Sequence, residues 1–91
     1  MTIHDLKVWP EQFKAIALGL KRHEYRLNDR NYAVGDVLRL RMWNPDARLY
    51  EPVPPIFVVI LYATRGPDFG VPDGYIALSI GEPLKGDASW I

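Results

Sequence analysis

Apolar residues recur along this chain mostly at every second position, in short runs separated by Gly, Pro and Asn. Alternation of this kind is typical of β-strands with one buried and one exposed face. The runs predict five strands: residues 3–8, 23–27, 37–43, 56–62 and 75–80. The run over residues 56–62 is β-forming throughout, so we expect that strand to be buried on both faces.

One stretch has helical rather than strand-like spacing. Four apolar residues at i, i+3, i+4 and i+7 would share one helical face: Phe13, Ile16, Ala17 and Leu20. Pro10 suits the first turn, because its missing N–H costs nothing there, and Gly19 is a natural stop. The pattern therefore predicts a helix over residues 10–18.

These elements predict a small, mainly β protein of the α+β class, with one or two helices. A sheet of about five strands cannot leave both faces in water, so we expect it to close into a small β-barrel capped by the N-terminal helix. We expect the domain to span residues 1–80. Residues 81–91 would form a C-terminal tail, and Trp90 and Ile91 indicate that it could dock.

Composition narrows the class of protein further. The chain has 91 residues, 48% hydrophobic and 24% charged, as in an ordinary globular domain, and its net charge is zero. Attraction to nucleic acid would therefore need a local patch. The absence of Cys excludes disulfides and thiolate metal sites, and His4 and His23 stand alone, so we expect no metal. With no signal-peptide pattern and no spanning apolar run, we expect a cytoplasmic protein.

The densest charge lies in residues 19–35, between the predicted helix and the next strand. If that strand begins near His23, Glu24 and Arg26 project from one face, and Lys21 lies just beyond the helix end. A carboxylate between two cations can accept or orient protons, and the cations can bind a phosphate or stabilise an oxyanion. The alternative is an exposed strand face with an incidental ion pair that contributes about 0–1 kcal/mol.

A basic excess extends beyond this stretch. Residues 21–48 contain seven Lys or Arg against four Asp or Glu. Trp43 shares a predicted strand face with Arg39 and Arg41, and cations beside aromatic rings are how single-stranded nucleic acid is bound without sequence readout. The alternative is that both arginines decorate the outside of a barrel while Trp43 covers a core edge.

The segment GLKRHEYR at residues 19–26 matches the G-x-K-x-x-E-x-R motif of ASCH domains, in the PUA-like superfamily. More closely, the chain resembles a bacterial and phage group known as the DUF3850 family. The segments that carry this likeness occur in the same order: HDLKVWP (4–10), RLNDR (26–30), VGD (34–36) and GYIAL (74–78). The resemblance covers roughly residues 2–80.

The resemblance implies a β-barrel with a cleft between barrel and helix, lined by Lys21, Glu24 and Arg26. ASCH domains are generally thought to bind RNA or nucleotides. Some relatives are hydrolases, either amidohydrolases of N4-acetylcytidine or ribonucleases. In the amidohydrolases a threonine follows the motif lysine by three residues. Glu24 occupies that place in this chain. Of the lysine and threonine of the amidohydrolases, only the lysine therefore has a counterpart here, Lys21.

We therefore predict an RNA- or nucleotide-binding domain that needs no cofactor and has no membrane partner. The residues expected to contact the ligand are Lys21, Arg26, Arg30, Trp9, Trp43 and Arg65. In the rival hypothesis the chain is a small hydrolase of RNA or N4-acylated cytidines, with Lys21 and Glu24 as its catalytic residues. A third hypothesis is a protein-interaction adaptor that keeps the motif only for folding.

Overall fold

A computed structural model describes residues 1–84 of the chain. The elements, in order, are β1 (Ile3–Val8), α1 (Pro10–Ala17), β2 (His23–Leu27), β3 (Val37–Asn44), β4 (Leu49–Tyr50), β5 (Ile56–Arg65), a 3₁₀ turn (Asp68–Gly70) and β6 (Tyr75–Ile80). The predicted α+β class, mainly β with one α-helix, is confirmed. The two-residue strand β4 was not predicted, because it is too short to have a hydrophobic period.

The strands form one sheet in the order β1-β3-β5-β6-β2, and β4 pairs with the end of β3. β1 runs parallel to β3, and the other neighbours are antiparallel. β1 and β2 stand at the two ends of this order and are not paired with each other. We call the gap between these two strands the seam. The expected closure into a barrel is wrong at the seam. Side chains of β2 and of the turn after it span the seam instead.

The core lies on one face of the sheet, beneath α1. It is built from alternate strand residues and the two buried helix positions, and includes Leu6, Val8, Phe13, Ile16, Leu38, Leu40, Val58, Ile60, Ile76 and Leu78. Leu20 was expected on the buried helical face but is exposed. The helix ends at Ala17, and Gly19 turns the chain away in a left-handed conformation (φ 75°) that suits glycine.

We predicted that β5 would be buried on both faces, and this prediction is wrong. Val58 and Ile60 are buried, whereas Leu61 and Tyr62 are exposed. The pairing of β5 with β6 shifts register between Ile60 and Tyr62, which breaks the alternation at that point. Beyond β6, the backbone of residues 81–84 stays alongside β5. The expected docking of Trp90 and Ile91 concerns residues outside the described part. No helix in residues 1–84 is long and apolar enough to cross a membrane.

A buried polar pair ties the start of β1 to the turn before β3. The His4 Nε2–H donates to Asp36 Oδ2 at 2.9 Å, and the backbone N–H groups of Thr2 and Ala33 donate to the same carboxylate at 3.1 Å. The ring of buried Tyr32 packs on His4 with 4.7 Å between centroids. The hydrogen bond from His4 lowers the pKa of Asp36 below its ordinary 3.8, although burial opposes this.

We expect Asp36→Asn to lower the free energy of unfolding by about 1–3 kcal/mol at pH 7, because it weakens these buried hydrogen bonds. Since the folded-state pKa of Asp36 is depressed, its stabilising contribution is present above pH 3.8 and is lost as the pH falls through the folded-state value. Urea unfolding between pH 2 and pH 7 should therefore show the two proteins converging in acid. A constant difference, or an equal effect of exposed Asp73→Asn, would contradict this assignment.

Candidate functional site

β2 presents Glu24 and Arg26 inward and Tyr25 and Leu27 outward. Glu24 is only 3% exposed, whereas Tyr25 and Leu27 are 49% and 53% exposed. This is the reverse of the usual strand, in which burial of apolar area stabilises the fold. Glu24 therefore does not lie on an exposed strand face, and its buried charge requires partners.

The partners of Glu24 are the two cations of the same motif. Lys21 Nζ lies 3.2 Å from Glu24 Oε1, and Arg26 Nε lies 2.7 Å from Glu24 Oε2. Lys21 Nζ also donates to Gln12 Oε1 of α1 at 2.7 Å. The Lys21 and Arg26 side chains are 18% and 26% exposed, so both cations border solvent above a buried carboxylate. We call Lys21, Glu24 and Arg26 the motif triad.

Arginine side chains span the gap between β2 and β1. Arg26 Nη2 donates to the backbone oxygen of Lys7 at 2.8 Å, and Arg30 Nη1 donates to that of Asp5. Asp5 and Lys7 are alternate residues of β1, whose other edge pairs with β3. Their carbonyls thus point to the open edge, where a guanidinium replaces the missing strand. The motif triad consequently lies at the seam between β1, β2 and the start of α1.

Tyr32 and Gln12 belong to the surroundings of this site but were not among the predicted residues. Burial raises the pKa of the Tyr32 hydroxyl, and the positive charges of Arg30 and Arg26 oppose that rise. Arg65 does not join the motif triad through its side chain; it donates to the backbone oxygen of Tyr32 at 3.0 Å. Gln12 meets Lys21 only through the docking of α1, a contact that leaves no signal in sequence spacing.

The two predicted aromatic residues lie in different parts of the fold. Trp9 is exposed between the end of β1 and the start of α1. Trp43 lies on the outer face of β3, on the side of the sheet opposite the core, as the alternation predicted. Its ring is packed edge-on against Tyr50, with centroids 5.0 Å apart, and Lys7 Nζ lies 4.0 Å from it. Arg41 lies on the same face, over Tyr50.

A concave region of about 390 Å³ lies elsewhere. Its lining comes from the end of α1 and the segment after β6: Ala17, Leu18, Gly19, Arg22, Glu82, Pro83 and Leu84. It contains one exposed ion pair, Arg22–Glu82 at 3.2 Å, and none of the motif triad. Within residues 1–84, no group of three or more His, Cys, Asp and Glu residues is placed to hold a metal ion.

Two sequence comparisons identify relatives of this chain. A family model described as "Domain of unknown function (DUF3850)" matches residues 3–80. An uncharacterized 12.9 kDa protein from the GpA 3′ region of Escherichia phage P2 is 44% identical over 41 residues, which are 45% of this chain and 38% of the phage protein. The aligned part is thus well under half of that relative.

A crystal structure of a tyrosine-to-phenylalanine mutant of ZmASCH, from Zymomonas mobilis, superimposes with a TM-score of 0.65. The match covers 93% of this chain and 74% of the ZmASCH chain, at 16% sequence identity. A likeness at that identity shows a shared fold. Because the family model spans all of the residues from the start of β1 to the end of β6, this chain belongs to the DUF3850 family, and it has an ASCH-like fold.

Proposed function

We propose that this protein binds RNA or a nucleotide at the motif triad, with Lys21 and Arg26 contacting phosphate. The observation that carries the proposal is the inverted burial of β2: a carboxylate is placed inside the fold while a tyrosine and a leucine stay in solvent. Burying a charge costs stability even when it is paired, so such an arrangement is typical of functional sites. The ASCH-like fold supports the same proposal.

The two cations keep donors available for an anionic ligand. Lys21 Nζ has three hydrogens, and Gln12 and Glu24 accept two of them. Arg26 uses Nε and Nη2 in its contacts with the described residues, which leaves Nη1 for a phosphate oxygen. The roles of Glu24 and Gln12 would then be to hold both cations at the seam, so that little side-chain freedom is lost when the ligand binds.

Binding is favoured over hydrolysis by the surroundings of Glu24. A general base needs a carboxylate oxygen that the attacking water can reach, but Glu24 is only 3% exposed and each of its oxygens accepts a hydrogen bond from a cation, at 3.2 and 2.7 Å. We therefore assign Glu24 an orienting role. Trp9, which is exposed beside the start of α1, would stack on a base, and Arg30 and Arg65 would support the walls of the site.

The test is a titration of a fluorescent ten-nucleotide single-stranded RNA at several salt concentrations. We expect Lys21→Ala to weaken binding about tenfold at low salt and to reduce the slope of log K against log salt by about 0.7, the value for one lost phosphate contact. Lys14→Ala is the matched control, because Lys14 is exposed on α1 and carries the same charge.

No binding by the wild-type protein at low salt would overturn the proposal, and so would equal effects of the two lysine substitutions. Recovery of the RNA after the titration, together with incubation with N4-acetylcytidine, tests the rival hypothesis. Turnover that Glu24→Gln abolishes would favour a hydrolase over a binding protein.

A further inference from the structure

A second group of cations and aromatic rings lies on the outer face of the sheet, on the other side of β1 from the motif triad. It consists of Lys7, Arg41, Trp43 and Tyr50, which we call the outer patch. Lys7 Nζ lies 4.0 Å from the Trp43 ring centroid, and Arg41 Cζ lies 3.6 Å from that of Tyr50. The two rings contact each other edge-on. Each cation is thus held over an aromatic ring.

The two cations of the outer patch are not neutralised by a carboxylate of the described residues, whereas the neighbouring Arg39 is. Arg39 shares the outer face of β3 with Arg41, but its Nη1 lies 2.8 Å from Asp5 Oδ1, which neutralises it. Within residues 1–84, no carboxylate lies within 4 Å of the charged groups of Lys7 or Arg41. A cation that contacts a ring rather than a carboxylate keeps its charge and its N–H donors for an anion.

Lys7 links the outer patch to the motif triad. Its backbone oxygen accepts the hydrogen bond from Arg26 Nη2, while its ammonium group lies over Trp43. Lys7 and Arg41 are also register partners across the parallel β1–β3 pair. The positive groups therefore follow one path, from Arg26 across the gap to Lys7 and on to Arg41, and the paired strands β1 and β3 are separated by only about 4.8 Å.

We propose that the outer patch binds the phosphates of the RNA nucleotides that flank the one held at the motif triad. The inference rests on the proposed function and assigns Lys7 and Arg41 as additional phosphate-binding residues. The path fits a polyanionic strand better than a single small ligand, because its charges are spread over three strands, β2, β1 and β3. Trp43 and Tyr50 hold the two cations in place through their ring faces.

The experiment compares a ten-nucleotide RNA with the four ribonucleoside 5′-monophosphates as ligands of the variant Lys7→Gln/Arg41→Gln. We expect the double variant to bind the RNA about tenfold more weakly at low salt, with a salt slope reduced by about 1.4, as for two lost phosphate contacts. Its affinity for the mononucleotides should stay within about twofold of wild type. Arg39→Gln is the matched control, since it removes an arginine from the same face that is already paired.

RNA affinity of the double variant within twofold of wild type would overturn the inference and leave the proposed function intact. An equal loss in Arg39→Gln would also overturn it, because the effect would then be one of overall charge. Absence of RNA and mononucleotide binding by the wild-type protein would overturn the proposed function itself, and the inference with it. Urea unfolding of each variant shows whether a loss of binding comes from a loss of fold.

Discussion

Glu24→Gln is expected to lower the free energy of unfolding by about 2–4 kcal/mol. Removing one member of a buried ion cluster leaves the remaining charges without compensation, and for fully buried pairs this costs about 3–5 kcal/mol. The Lys21 and Arg26 side chains retain some exposure, so water solvates part of their charge and the expected value is somewhat lower. The neutral amide also turns a donor toward one of the two cations.

Urea unfolding at pH 7 measures this effect. Glu82→Gln is the matched control, because its pair with Arg22 is exposed at the surface and should contribute no more than about 1 kcal/mol. A Glu24→Gln effect as small as that of the control would mean that the carboxylate is not held as a buried partner.

Arg26→Lys is expected to cost about 2 kcal/mol of stability even though the charge is kept. The guanidinium makes two contacts at once, with Glu24 Oε2 through Nε and with the Lys7 carbonyl through Nη2. An ammonium group lacks the planar fork that spans both acceptors, so one of them loses its partner. The loss of stability should be greatest at the seam, because Arg26 links β2 to β1 and these two strands are not paired with each other.

Amide hydrogen exchange of β1 provides the measurement. We expect faster exchange in Ile3–Val8 of the Arg26→Lys variant, with β5 and β6 little changed. Arg48→Lys is the control, since Arg48 is exposed in the turn between β3 and β4. If exchange in β1 were unchanged, or increased equally in all strands, the arginine would not be closing the seam.

Much of the fold could be predicted from the sequence, because the alternation of apolar and polar residues marks where the strands begin and end. The bounds of β1, β2 and β6 match the predicted ones. What periodicity cannot give is the face of β2 that points inward. Hydropathy alone favours burial of Tyr25 and Leu27, and the opposite occurs because Glu24 finds two cations and the seam to β1.

The contacts that complete the candidate site depend on packing between distant segments. Gln12 reaches Lys21 across nine residues, and Arg26 reaches Lys7 across nineteen. Neither of these sequence separations corresponds to the period of a helix or a strand, so no local pattern in the sequence indicates the contacts. Likewise, the motif predicts the triad, whereas the separation of Trp43 from it follows from the position of β3 on the other side of β1.

The most direct test of the site is an NMR titration of the ¹⁵N-labelled protein with each of the four ribonucleoside 5′-monophosphates. We expect at least one of them to shift the signals of Gln12, Lys21, Arg26 and the backbone of Lys7. Signals from the concave region lined by Leu18 and Leu84 should stay unchanged. Saturable shifts confined to that region, or no shifts with any of the four nucleotides, would contradict binding at the motif triad.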